Sequence, residues 1–287
     1  MKSLLGIIAS PRKLGNCELF VREFHAQLPG GWNLTLMRLP ELDIQSCRGC
    51  YRCISGRRMC PLSDGFSHAL EALIKSDAYI VAAPTYLLGA HASLKRFLDR
   101  GLCFYEHVDE LWGKPAVGIA IAGTSGMEGS TKLAVESFIK LCMGDLRGSA
   151  VVYGALPGEI MVGDEGKETA KRLAEALISG KQKQPDVPVC PLCGGDSFRF
   201  LPGGRVRCLL CSNTGPYEWA EERLHCHVVV GDHPWFLSYE GSKRHNELLR
   251  EKKEDFLARR SELKGVSERY AGPVAWIEPR GGGEKKP

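Results

Sequence analysis

Apolar runs alternate with amphipathic stretches from the start of the chain. Residues 3–9 form an almost unbroken apolar run, the pattern of a strand buried on both faces, and a 3.6-residue period follows at Leu19, Phe20 and Phe24. The same alternation repeats. Residues 33–39 read as a second strand, and Asp64 is placed to cap a helix with apolar positions at Phe66, Leu70, Leu73 and Ile74. Strands over 78–83, 116–122 and 149–155 follow, with helices over 93–100, up to Leu141, and over 166–179. Five strands alternating with helices predict a doubly wound five-stranded parallel sheet, because parallel neighbours need crossover connections.

In an open sheet of this kind the ligand lies beyond the carboxyl ends of the strands, so the strand-to-helix turns are the places to look for chemistry. The first turn runs Ser10, Pro11, Arg12, Lys13, Leu14, Gly15, Asn16, Cys17. It offers backbone N–H groups, a helix N-terminus and side-chain donors to a phosphate, although an ordinary βα loop has the same look. The spaced lysine of a Walker A loop and the GxGxxG of a dinucleotide site are both missing. Residues 84–89 and 123–129 are turns at the same edge; packing at a strand end is the plainer use of Tyr86 and Leu87.

Between the second strand and the next helix stand Cys47, Cys50, Cys53 and Cys60, spaced C-x2-C-x2-C-x6-C and followed by Pro61. Thiolates two residues apart on a loop suit alternate corners of a [4Fe-4S] cubane, whereas a tetrahedral zinc site more naturally uses two separated pairs. Disulfides and a zinc knuckle are the alternatives. Twelve cysteines in a chain whose N-terminus does not read as a signal peptide favour metal ligation in a reducing cytoplasm. Arg48, Arg52, Arg57 and Arg58 interleave with the ligands, either to offset cluster charge and steer an acidic carrier or as a solvated face.

With these residues in view, the chain resembles the iron-sulfur flavoproteins within the NADPH-dependent FMN reductase family. The likeness rests on the Ser10–Asn16 turn, the cysteine loop, the Ala83-Pro-Thr-Tyr86 turn and the stretch from Leu94 to Arg100, and it covers roughly residues 1–180. It implies a flavodoxin-like fold, bound FMN, a [4Fe-4S] cluster and a homo-oligomer, dimer or tetramer, with each cluster near the FMN of a neighbouring subunit. By the same likeness Ser10, Arg12, Asn16 and Cys17 surround the FMN phosphate, Pro84, Thr85, Tyr86 and Leu87 lie against the isoalloxazine, and Gly123, Thr124, Ser125 and Gly126 complete the pocket. Cys17 stands where the family usually has Thr or Ser, and a thiol is the weaker donor.

Residues 181–188 are polar with two prolines and read as a linker. Beyond it Cys190, Cys193, Cys208 and Cys211 form two C-x2-C knuckles around a hairpin, a zinc-ribbon arrangement; a single iron fits the same four thiolates. His225 and His227 read as edge-strand histidines, with a third metal site as the alternative, and Cys103 and Cys142 read as core. A charged helix over 246–263 is expected to dock through Leu248, Leu249, Phe256 and Leu257, with a disordered tail after 280. The expected domains are 1–181, 189–230 and 231–287.

The net charge of +4 is spread evenly along the chain, which argues against a nucleic-acid partner, and no apolar stretch is long enough to span a membrane. No catalytic His, Asp or Ser constellation is visible. The function expected is an oxidoreductase or electron-transfer protein working between cluster, FMN and a small acceptor or a carrier such as ferredoxin. A NAD(P)H-dependent FMN or quinone reductase, and a redox-responsive binding module acting through the ribbon, are the alternatives.

Overall fold

The computed structural model describes residues 1–54, 59–180, 187–232, 235–275 and 277. Its main sheet holds β1 (Lys2–Ile8), β2 (Trp32–Arg38), β3 (Ala78–Tyr86), the short β4 (Gly89–Ala90), β5 (Pro115–Ala122) and β6 (Asp145–Tyr153). The order is β2-β1-β3-β5-β6, all parallel, with β4 paired antiparallel to β3. Together with its helices this is the doubly wound sheet that the alternation predicts, in the flavodoxin-like order that the resemblance implies.

Position in the sheet explains the sequence pattern strand by strand. The central strands β1, β3 and β5 are buried over nearly their whole length, whereas β6 at the edge alternates buried and half-buried residues. That alternation hides the start of β6 at Asp145, several residues before the apolar run at 149–155. β3 likewise runs past Ala83 to Tyr86, because β4 turns back and pairs with it.

Helices α1 (Asn16–Ala26), α2 (Phe66–Lys75), α3 (Ala92–Leu98), α4 (Val108–Leu111), α5 (Thr131–Leu141) and α6 (Glu165–Ser179) cover the sheet. Phe20, Val21 and Phe24 of α1 and Leu173 and Leu177 of α6 pack on Ile8, Ile80, Ile119 and Val152. Elsewhere in the core Phe66, Phe97, Phe104 and Phe138 form a chain of ring contacts 5.1–6.2 Å apart. Cys142 is core, as its apolar surroundings suggest, and so is Cys103. Asp64 lies one residue ahead of the helix start assigned to it: Gly65 caps α2, and Asp64 accepts from the Phe66 N–H at 3.0 Å.

A second, antiparallel sheet orders β7 (Phe198–Leu201), β8 (Arg205–Cys208), β9 (Thr214–Ala220) and β10 (Arg223–Cys226) as β10-β9-β8-β7. Lys132 of α5 fastens it to the main sheet's layer, reaching Asp196 at 2.6 Å and Glu136 at 2.7 Å. His225 and His227 are occupied by the Ala220 carbonyl and the Glu218 carboxylate.

Two helices follow, α7 (Tyr239–Ala258) and α8 (Arg260–Glu268), and the chain divides into compact units 1–247 and 248–287. Within the first unit, α7 docks through its opening turns: the His245 ring lies 4.6 Å from that of Tyr105, and Asn246 donates to the Tyr105 carbonyl. Phe256 and Leu257 fall in the second unit and are exposed. In the second unit α8 buries no residue. Most of the expected linker, the tail after 280, and Arg57 and Arg58 lie outside the described residues. None of the helices described is long and apolar enough to cross a membrane.

Candidate functional site

An open cleft of ≈ 610 Å³ lies at the carboxyl edge of the main sheet, lined by Ser10, Arg12, Asn16, Cys17, Pro84, Thr85, Tyr86, Ile121, Gly123, Gly154 and Ala155. Four successive strand ends supply this lining, as the crevice rule requires. The turns at Ser10, Pro84 and Gly123 therefore converge. Leu87 is fully exposed, and Thr124, Ser125 and Gly126 are exposed on the β5–α5 turn; none of the four is among the lining residues. Sequence reasoning missed Ile121, Gly154 and Ala155, whose small or apolar side chains carry no chemical signature.

The β1–α1 turn is held by an ion pair that no local pattern reveals. Glu18, buried in α1, accepts from the Leu14 N–H at 2.9 Å and from the guanidinium groups of Arg22 and Arg38. Arg38, at the end of β2, also donates to the carbonyls of Ser10 (3.0 Å) and Arg12 (2.8 Å). Burial opposes ionisation of Glu18, but the Leu14 N–H, Arg22 and Arg38 outweigh it and hold the carboxyl below its ordinary range. The Asn16 amide is spent on the neighbouring loop, donating to the Gly154 carbonyl at 3.0 Å and accepting from the Gly158 N–H at 2.7 Å. Cys17 is buried, which pushes its thiol up to about 12 and keeps it neutral. Gly15 caps α1 with no side-chain partner, so the first-turn N–H groups of α1 open onto the cleft without a capping oxygen. An anion fits there.

At the opposite wall Thr85 donates to Thr131 at 2.8 Å and the Tyr86 ring meets His91 edge-on at 5.5 Å. Leu87 and Leu88 form the two-residue β3–β4 turn, both with positive φ, at 50° and 62°. Beyond His91 a second hollow of ≈ 600 Å³ runs past Ser93 and Arg96 to Asp43 and Ile44, where the chain enters the cysteine loop.

On that loop Cys47 and Cys50 are exposed and Cys53 and Cys60 partly buried. Burial raises the Cys53 thiol, and Cys60, Cys50 and Cys47 raise it further, so the other three thiols lie within electrostatic reach of Cys53. The Gly49 N–H points at the Cys47 sulfur, 3.4 Å away, and Gly49 and Tyr51 turn the loop with positive φ. Arg48 and Arg52 are exposed beside them. Among the described residues these four thiols do not form a group whose sulfurs all lie within 4.8 Å of one another.

Cys190, Cys193, Cys208 and Cys211 behave differently. All four are buried with their sulfurs within 4.8 Å of one another, the one such group among the described residues. Backbone hydrogen bonds close both knuckles, from Gly194 N–H to Cys190 and from Ser212 N–H to Cys208. Hydrogen bonds among the crowded thiols draw Cys190 and Cys211 down and push Cys193 and Cys208 up. Four converged sulfurs with no open position are the donor set of a closed tetrahedral metal.

Comparison with known proteins agrees with this geometry. Residues 2–155 match the protein family described as NADPH-dependent FMN reductase. An iron-sulfur flavoprotein of Archaeoglobus fulgidus is 31% identical over 186 residues, 63% of this chain and 83% of that protein. One from Methanocaldococcus jannaschii is 28% identical over 61% of this chain and 94% of its own. Among solved structures, a flavone reductase superposes with TM-score 0.70 at 18% identity, covering 96% of this chain and all of that one.

Proposed function

The chain belongs to the NADPH-dependent FMN reductase family, and on that premise we propose that it is an iron-sulfur flavoprotein oxidoreductase, moving electrons between a [4Fe-4S] cluster, FMN and a small acceptor or an acidic carrier such as ferredoxin. The observation that carries the reading is the uncapped start of α1 opening onto a cleft whose other wall is Pro84–Tyr86. When bound, FMN supplies pairwise electron exchange and the cluster single-electron exchange.

The residues have separable tasks. First-turn N–H groups of α1, with Ser10 and Arg12, hold the phosphate, while Glu18 and Arg38 fix the turn that presents them. Pro84, Thr85 and Tyr86 flank the ring, and Gly123, Gly154 and Ala155 let backbone approach it. Cys17 contributes its amide rather than a reactive thiol. Cys47, Cys50, Cys53 and Cys60 ligate the cluster, and the exposed Arg48 and Arg52 offset its charge and attract an acidic donor. Zinc in the Cys190–Cys211 site is structural.

The proposal also includes a homo-oligomer formed over the cleft. Leu14, Leu87, Leu88, Met127 and Leu156 are all exposed on the loops at the cleft's own sheet edge, an apolar rim that a second copy would cover. Twelve unpaired thiols fit a cytoplasmic setting.

Anaerobic stopped-flow reduction separates this from a directly NADPH-driven reductase. Bleaching of bound flavin by reduced ferredoxin, with slower bleaching by NADPH and a loss of the ferredoxin rate at high salt, is the expected result. Rapid bleaching by NADPH that persists after the cluster is removed would instead assign a nicotinamide-dependent FMN or quinone reductase.

A further inference from the structure

Among its described residues the cysteine loop has little regular structure. Apart from a short 3₁₀ turn (Arg52–Ile54), the described residues between Gln45 and Leu62 lie outside helices and strands, yet four thiols must be delivered together. The two ends of that loop meet on one buried ion pair. Asp64 accepts from the Gln45 N–H at 2.9 Å, two residues before Cys47. Arg100 donates one terminal nitrogen to Asp64 and reaches the Leu62 carbonyl, two residues after Cys60, with the other at a long 3.5 Å. Entry and exit of the loop are thus bonded to the two halves of the same pair.

The surroundings fix this pair in place. Arg100 and Asp64 have side chains 0% and 4% exposed, and the guanidinium lies 4.2 Å from the centre of the Phe66 ring. Directly below, the Cys103 thiol donates to the Arg100 carbonyl at 2.9 Å and lies within electrostatic reach of Cys53 and Cys60. The chain pinches once more at Gly65, whose N–H donates to the Leu42 carbonyl; a Cβ there would sit 2.1 Å from that oxygen, so only glycine allows the approach. Burying a full cation and anion is expensive, and among the described residues the Arg100 Nε–H has no partner. An apolar pair would fill the same space, but it could not hydrogen-bond Gln45 and Leu62.

We propose that the Asp64–Arg100 pair is a clasp that closes the cysteine loop and keeps its four thiols gathered for the cluster, making Arg100 and Asp64 positioning residues rather than ligands. The inference rests on the assignment of a cluster to that loop, but the clasp can be read independently of it. Neither residue lines the cleft, so flavin binding is the internal control.

The test uses the full-length holoprotein and the variants Asp64→Asn, Arg100→Met and Arg100→Lys, each measured for FMN content, melting temperature and the rate at which a ferrous chelator strips the cluster. Asp64→Asn and Arg100→Met should keep FMN yet lose the cluster on the order of tenfold faster or more, since one partner of a buried pair is left alone. Arg100→Lys keeps the charge but not the two-armed fork, and should fall between. If Arg100→Met does not fold, Asp64→Asn and Arg100→Lys decide the matter. Variants that retain FMN and lose the cluster at the wild-type rate would overturn the clasp. Should the wild type carry no iron at all, the cluster assignment fails; alkylation of Cys47 and Cys60 then reads the clasp directly, with faster labelling in the variants supporting it and equal labelling refuting it.

Discussion

Single residues show the sharpest contrast between what composition announces and what tertiary structure decides. The cysteine spacings are legible because ligands must follow one another along a loop, and Cys190, Cys193, Cys208 and Cys211 indeed converge. Glu18–Arg38 and Asp64–Arg100 are silent in the sequence: their partners lie 20 and 36 positions apart, with no local period to join them. Both carboxyls are held below their ordinary values despite burial, by N–H donors and guanidinium groups. A carboxyl depressed in the folded state adds stability that is complete above its unfolded value, near 4.5 for Glu18 and 3.8 for Asp64, and is lost as pH falls through the folded value. Stability to urea should therefore stay level on acidification down to those values and drop below them, with a shallower drop in Glu18→Gln. A Glu18→Gln profile identical in shape to the wild type's would assign acid unfolding to other groups.

Among the elements, the strands were legible where burial is two-sided and blurred where it is not, as β6 shows by starting at Asp145. The β3–β4 hairpin was not legible, because Leu87-Leu88 lacks the Asn-Gly or Asp-Gly signature of a two-residue turn. Positive φ at two successive leucines costs about 1 kcal/mol or more each. In the proposed assembly that strain keeps two apolar side chains on the rim. Replacing Leu87-Leu88 by Asn-Gly should raise the stability of the subunit by roughly 1–2 kcal/mol in urea titration. The same change should weaken assembly in sedimentation. A subunit no more stable than before, with assembly unchanged, would remove both the strain and the rim from the account. The ribbon is a different kind of element, whose four buried cysteines would be joined by the proposed metal. Stripping that metal with a strong chelator should unfold the ribbon while the cleft keeps its flavin; loss of flavin in step with ribbon unfolding, followed by circular dichroism and flavin fluorescence, would tie the two together.

At the scale of the whole molecule, the alternation of strands and helices foretold one crevice fed by several turns, and the structure gathers residues from four strand ends there. The arrangement that follows from Tyr86 is less obvious: it touches His91, and the hollow beyond His91 ends at Asp43 and Ile44, at the root of the cysteine loop. His91 thus stands between the cleft's Tyr86 and a hollow that reaches the entry to the loop, an arrangement no spacing along the chain discloses. The central claim, that one chain carries both a flavin and a polynuclear cluster, is tested most directly by anaerobic purification with chemical analysis of flavin, iron, acid-labile sulfide and zinc, set beside Cys50→Ala. The account predicts about one FMN, four iron, four sulfide and one zinc per chain, with iron and sulfide alone falling in Cys50→Ala. Wild-type protein that carries flavin and zinc but no sulfide, or a Cys50→Ala variant with undiminished iron and sulfide, would contradict it.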